Sequence, residues 1–306
     1  MLVETVTFQV CAFALAPLLV GVINKGKAAF AGRKGAPLLQ PYFDIWKLLQ
    51  KGAVYSKSSS WIFRAGPLVG LAAMATAMFL FPMGKAPALF SFDGDLIMFA
   101  GLLGLARFLM IVAALDTGSS FEGMGASREA MLSSLAEPAI YLGLSALVVM
   151  KGDLSLTDLI DGGATHLWNS GTVPALVLVV MCFFLVMLVE NSRIPIDDPN
   201  THLELTMIHE VMVLDHSGPD LAFISYTSAL KLWLFASLIA GVALPISLGN
   251  VLADGGIFLA LIFAVALVVV VIESSLARLR MQHTYQILVI AALLGTLAIA
   301  FTFAVR

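Results

Sequence analysis

Apolar positions run nearly unbroken for about twenty residues at a time, eight times over, and polar positions collect in the gaps between the runs. A helix of about 20 apolar residues crosses the ~30 Å hydrocarbon core of a bilayer. The runs 3–23, 62–83, 95–115, 130–150, 173–191, 224–248, 255–275 and 284–304 therefore predict eight transmembrane helices. The expected fold class is all-α: a polytopic membrane protein with about eight spans, forming a single integral membrane domain over 1–306. The least regular run is 224–248, which contains Lys231 and Pro245. One gap has a helical period of its own. In 37–51 the apolar positions Leu38, Leu39, Tyr42, Phe43, Ile45, Trp46, Leu48 and Leu49 oppose Lys47, Gln50 and Lys51. That pattern predicts an amphipathic helix lying in the membrane interface. The turn-prone basic segment 32–37 leads into it. Besides anchoring the chain, such a helix can wall a lateral opening for a hydrophobic substrate or offer a platform to a partner.

Composition agrees with the pattern: 60% of the 306 residues are hydrophobic and 12% are charged. The lipid bilayer is thus the first partner, and a net charge of -3 gives no footprint for nucleic acid. Cys11 and Cys182 sit alone in apolar runs, so no CxxC pair exists to ligate an iron–sulfur cluster. The start lacks a basic n-region and cleavage site, and its first apolar run reads as a retained span. Lys25, Lys27, Arg33, Lys34, Lys47, Lys51, Lys57 and Arg64 crowd the first loop, and Arg128, Arg193, Arg278 and Arg280 lie in the third, fifth and seventh. The opposite side has only Lys85, Lys151 and Arg306. By the positive-inside rule the odd loops are cytoplasmic and both termini face out. No internal repeat of the kind found in many transporters stands out.

Charge changes the picture in two places. Between Glu190 and Asp220 lie seven of the 20 carboxylates and three of the five histidines, with Arg193 the only offsetting cation. Arg107, Glu137, Glu190, Lys231 and Glu273 fall within or at the ends of spans, where ionisable groups are costly and mark proton or ion paths. Glu137 precedes Pro138, which frees a backbone carbonyl one turn earlier. A buried carboxyl holds its proton to higher pH, and Arg107 is a natural counter-ion for it. Snorkelling to the headgroups is the bland alternative for Glu190 and Glu273. A zinc protease motif fails, because His209-Glu210 is followed by Val213 where the second histidine belongs. His202, His209 and His216 recur every seven residues, about 10.5 Å apart on a helix, too far for two of them to share a metal. No metal site is expected. The histidines do predict a loop that titrates nearer neutral pH than an all-acidic one. The segment 217–220 reads as a turn before the sixth span.

The run Glu190-Asn191-Ser192-Arg193-Ile194-Pro195-Ile196-Asp197 resembles the E-x-x-[RK]-[IVL]-P-[FI]-D signature of the membrane subunit at the heel of respiratory complex I, shared with its relatives in group 4 membrane-bound NiFe hydrogenases and formate hydrogenlyases. The stretch 106–132 followed by Glu137-Pro138, with Asp116, Arg128 and Glu129 in its core, resembles the formate hydrogenlyase subunit 4 branch more closely. So do 32–51, 61–67 and 273–280. The resemblance covers most of the chain. It implies a subunit without a redox centre of its own. Its cofactors, 4Fe–4S clusters and in some members Ni–Fe, are held by an iron–sulfur small subunit and a large catalytic subunit of a hydrophilic arm. Antiporter-like membrane subunits complete the complex, in a prokaryotic cytoplasmic membrane. Glu137, Glu190 and Asp197 match acids of the family's coupling path, Arg128 matches an arginine nine residues before the first, and Arg193 and Pro195 match its turn. Where relatives carry an acidic run after Asp197, this chain has DPNTHLEL, retaining Glu204, and where the branch has Glu-Tyr-Ser-Gly it has Asp215-His216-Ser217-Gly218.

The expected function is anchoring the catalytic arm and coupling its electron transfer to proton or sodium translocation. Glu137, Glu190, Asp197, Glu204, Glu273, Arg107, Arg128 and Lys231 are the expected coupling residues. Arg33, Lys34, Asp116, Glu129, Arg193, Pro195, Asp215 and His216 are the expected docking residues. The alternative is the quinone-chamber subunit of a complex I-like oxidoreductase. An independent secondary transporter and a membrane metalloprotease are further readings, tested by reconstituting the chain alone and by metal analysis.

Overall fold

The computed structural model describes residues 2–84, 86–160, 171–197, 208–243 and 251–305. Its helices are α1 (Leu2–Phe30), α2 (Gln40–Leu49), α3 (Trp61–Leu80), α4 (Asp95–Asp116), α5 (Ser120–Lys151), α6 (Leu156–Ile160), α7 (Val173–Glu190), α8 (His209–Met212), α9 (Pro219–Ala243), α10 (Val251–Ser275) and α11 (Met281–Val305). Among the described residues eight helices are long and apolar enough to span a membrane: α1, α3, α4, α5, α7, α9, α10 and α11. The all-α, eight-span expectation therefore holds. One core of buried side chains draws on all eight. α3 packs along α4, and α11 lies against α5 and α7. Leu267, Val268 and Val271 of α10 and Ile290, Leu293 and Leu297 of α11 point outward, as lipid-facing residues do.

Local sequence explains the element ends. Pro41 and Pro174 sit in the first turns of α2 and α7, where a missing N–H costs nothing. Ser60 caps α3, accepting from the Ile62 N–H at 3.2 Å. Gly152, at φ 91°, ends α5. α2 has no buried residue, and Phe43 and Trp46 are exposed on its apolar side, as an interfacial helix requires.

The boundaries correct the sequence reading in three ways. α5 begins at Ser120, ten residues before the predicted span, so most of the expected third loop is helix. At 1.5 Å per residue its 32 residues run to ~48 Å, well beyond the hydrocarbon core. α1 likewise continues past residue 23 to Phe30. The predicted turn 217–220 closes earlier, because Pro219 and Asp220 already belong to the first turn of α9. The extensions of α1 and α5, the turn after α7, helix α8 and the link after α10 all lie at one end of the bundle. Glu204, His202, Asn200 and Pro245 lie outside the described residues.

A buried ion-pair cluster at the end of the fifth span

α7 is apolar throughout until its last residue, Glu190. The helix stops there in a Schellman-type turn. The Ser192 N–H bonds the Val189 carbonyl at 3.0 Å and the Arg193 N–H reaches the Leu188 carbonyl at 2.9 Å. The left-handed position is taken by Ser192 (φ 49°) rather than glycine, and the Ile194–Pro195 bond is cis. This turn faces the Glu190 carboxylate into the bundle, where its side chain is 3% exposed.

Two cations meet it. Arg107 of α4 sets Nη1 2.6 Å from Glu190 Oε1, and Lys231 of α9 places Nζ 3.5 Å from Oε2. The second guanidinium nitrogen of Arg107 lies 3.6 Å from Glu137 Oε1. Arg107 thus joins two carboxylates from different spans, a fork geometry that a lysine ammonium does not offer. A buried carboxylate between two cations is held by Coulomb attraction that works only while all partners stay; removing one typically costs ~3–5 kcal/mol. Glu137 differs from Glu190 in being 46% exposed, on the flank of α5. Its carboxylate lies over Gly104 of α4, where a Cβ would come within 3.1 Å of Oε1.

A cavity of about 50 Å³ adjoins the cluster. That is room for a few waters at ~10–15 Å³ each. Arg107, Glu129, Glu190, His209 and Lys231 line it, together with Asn191, Thr227 and Ser228. The placement corrects one expectation: Glu129 faces this cavity from α5, not a partner-docking surface. His209, a member of the failed zinc motif and of the seven-residue histidine recurrence, lines the cavity instead; burial, and then the Lys231 charge, push its imidazole down to about 4.

Three more ion pairs, on two further carboxylates, continue along the same end. Asp197, 1% exposed, pairs with Arg278 at 2.7 Å and accepts the Ile208 and His209 N–H groups at 3.0 and 3.4 Å. It ties the turn after α7 to helix α8 and to the link after α10, where the Leu279 N–H also bonds the Pro195 carbonyl at 2.8 Å. Glu273 of α10 meets Lys27 of α1 at 2.9 Å and Arg193 at 3.7 Å. Gly26 permits this, because a Cβ there would press into Val270 at 2.7 Å. The sequence reading gives Lys27 as an orienting charge and Arg278 as an orienting charge within a family-like segment, neither as an ion-pair partner. No spacing rule joins residues about 80 or 250 positions from their partners.

Of the expected docking residues, Arg33, Lys34 and Asp215 are exposed. Asp116 is half-buried and accepts the Ser60 N–H at 2.6 Å, tying α4 to the start of α3. Arg193, Pro195 and His216 are interior, which corrects their assignment to a partner surface. His216 is 3% exposed and stacks on Phe63, with ring centroids 4.0 Å apart and planes 3° from parallel. Burial pushes it down to about 4. The expected titration of the loop near neutral pH is therefore overturned for His209 and His216. Arg128 donates to the Met124 sulfur at 3.1 Å and does not line the cavity. Among the described residues no three His, Cys, Asp or Glu side chains converge as metal ligands would.

A family model described as NADH dehydrogenase matches residues 3–304. Formate hydrogenlyase subunit 4 of Escherichia coli (strain K12) is 33% identical over 282 residues, covering 90% of each chain. Hydrogenase-4 component C of the same organism is 31% identical over 293 residues, covering 94% of this chain and 91% of its own. Among solved structures, a chain of the membrane-bound sulfane sulfur reductase, an archaeal respiratory membrane complex, superposes with a TM-score of 0.81 at 20% identity, over 97% of this chain and 98% of that one.

Proposed function

Since the chain belongs to the NADH dehydrogenase family, that of complex I subunit 1, we propose that it is the anchoring and ion-coupling subunit of an energy-converting hydrogenase or formate hydrogenlyase-type complex. It is a multi-pass membrane protein homologous over nine-tenths of its length to formate hydrogenlyase subunit 4. In this reading it docks an iron–sulfur small subunit and a catalytic large subunit at the end of the bundle that carries Arg33, Lys34 and Asp215. That end faces the cytoplasm and both termini face out, as the loop cations suggest. Electron transfer in the partners' 4Fe–4S clusters is linked to proton or sodium movement through antiporter-like membrane subunits.

The observation that carries the reading is Arg107 held between Glu190 and Glu137. Glu190 faces a water-sized cavity below the docking end, and Glu137 faces the flank of the bundle. A charge change on one carboxylate alters how strongly Arg107 is held by the other. A proton arriving at Glu190 releases the guanidinium toward Glu137, and the event is passed sideways without a redox centre. Asp197, Glu273 and the undescribed Glu204 belong to the docking-end charge network in this scheme, with Lys231 as a second counter-ion.

The test uses Glu137→Gln in the native complex, because Glu137 is half-exposed and its loss disturbs packing least. Turnover is expected to stay within a few-fold of the parent while turnover-linked ion translocation falls at least tenfold, with co-purification showing an intact complex. An assembled Glu137→Gln complex that still translocates normally sinks the reading. The quinone-chamber alternative is favoured by the description of the matching family. It predicts inhibition by quinone analogues, whereas hydrogen evolution indifferent to them supports the hydrogenase reading.

A further inference from the structure

A groove of about 510 Å³ opens where α1, α2 and α9 meet, and nothing in the coupling scheme uses it. Its shape begins with a proline. Pro17 has no N–H to give the Phe13 carbonyl one turn earlier. The Tyr226 hydroxyl of α9 donates to that carbonyl instead, at 2.9 Å. The Tyr42 hydroxyl of α2 donates to the next carbonyl, that of Ala14. Two tyrosines from different helices are therefore pinned to the disturbed turn of α1, and they prop the groove open between them.

Those bonds also decide what the groove can hold. A quinone ring is an acceptor and needs a donor to orient it, and both tyrosine protons are already committed to backbone. The remaining N–H on the wall is the Trp46 indole, at a position 65% exposed, on the rim rather than in the depth. The interior is otherwise hydrocarbon and aromatic. The chain beside the groove is basic: Lys47 follows Trp46 on the polar side of α2, and Lys51 comes just after that helix. Lys25, whose Nζ donates to the Lys34 carbonyl at 2.5 Å, lies eight residues beyond Pro17. Eight residues of helix are ~12 Å, within the length of a fatty acyl chain.

We propose that this groove binds one acyl chain of an anionic phospholipid, from the leaflet in which α2 lies, with its phosphate toward the basic polar side of α2 and the Trp46 indole at the rim. An amphipathic helix with aromatics at headgroup depth and basic residues beside them is the surface such a lipid fits. The lipid fills the gap between α2 and the bundle and so holds the interfacial helix in place. This inference is independent of the coupling role of Glu137 and Glu190.

The native complex, reconstituted in nanodiscs with phosphatidylglycerol carrying a photoactivatable diazirine in its acyl chain, tests the site by mapping adducts. Adducts are expected to concentrate several-fold on 13–17 and 42–46 relative to the lipid faces of α10 and α11. They should fall when phosphatidylcholine carries the probe, and fall about fivefold in Ala14→Trp, which fills the groove. Trp46→Ala, at an exposed position, gives a second variant that keeps the core intact and is also expected to lose adducts. Labelling spread evenly over all lipid-facing helices overturns the site. Labelling unchanged in both variants does the same. Equal labelling by the two lipids overturns the anionic preference, and displacement by excess decylubiquinone makes the groove a quinone site instead.

Discussion

Neither ring nitrogen of His216 has a hydrogen-bond partner among the described residues, and the buried imidazole lies flat on Phe63. Its charged form is disfavoured by that burial, so its pKa falls from the ordinary 6.5 to about 4. The sign of the pH dependence follows. In the unfolded chain this imidazole takes up a proton near 6.5, whereas in the folded chain it waits until about 4. Stability from the neutral ring is fully present above 6.5 and is lost as pH falls from 6.5 toward 4, by roughly 1.4 kcal/mol per pH unit for one such group. His209 has the same depressed value and adds in the same direction. His216→Phe keeps an aromatic stack on Phe63 and removes the proton. Melting temperatures of the detergent-solubilised protein at pH 7.5 and 5.5 should differ less in His216→Phe than in the parent, with about half of the acid sensitivity gone. An equal drop in both proteins means that another group sets the acid response.

The long helix α5 carries the arrangement at the level of elements. Its first turns support the α8 loop: Gly125 lets the Ile208 carbonyl and the Met212 side chain approach so closely that a Cβ would meet both at 3.0 Å. Glu122, fully buried, accepts the Asp215 N–H at 3.0 Å. Gly125→Val is therefore expected to lift α8 from α5 while leaving the eight spans intact. Hydrogen exchange should rise over 208–216 and the hydrophilic partners should co-purify less well; unchanged exchange there refutes the platform. The spans themselves were legible because twenty apolar residues in a row leave few alternatives to a membrane helix. The beginning of α5 was hidden because its residues 120–129 are polar and glycine-rich. A signal was present, since Ser119 followed by Glu122 has the spacing of a capping box, though Glu122 bonds the Asp215 backbone rather than that of Ser119. Glu190, Arg107 and Lys231 were legible as costly charges inside apolar runs. Their pairing was not, because α4, α7 and α9 meet only through tertiary packing. Glu129 was assigned to a surface for the same reason, its helix having been read as a loop.

At the scale of the whole molecule the charges are unequally covered. Glu190, Arg107, Asp197 and Glu273 are all enclosed by the chain itself, each less than a tenth exposed. Glu137 differs from these in opening to the outside, with 46% of its side chain exposed within an apolar span. A charge left against lipid at that depth costs several kcal/mol, so ionisable residues in spans face protein or water. The neighbouring surface of α5 is mixed, with exposed Ser134, Pro138 and Tyr141 rather than a continuous aliphatic face. α10 and α11, by contrast, present mainly aliphatic residues outward, among them Leu267, Val268, Val271, Leu293 and Leu297. The α4–α5 flank is thus the side on which another membrane subunit is expected to sit, and it is the side on which Arg107 bridges Glu190 to Glu137. A cysteine at Ser134, one turn before Glu137, should form cross-links to a partner membrane subunit in the native complex, while one at Leu293 of α11 should not. Cross-linking at Leu293 but not at Ser134 would move the partner to the outer face of α11 and leave the Glu137 carboxylate facing lipid, a position in which it could not hand an ion to a neighbour.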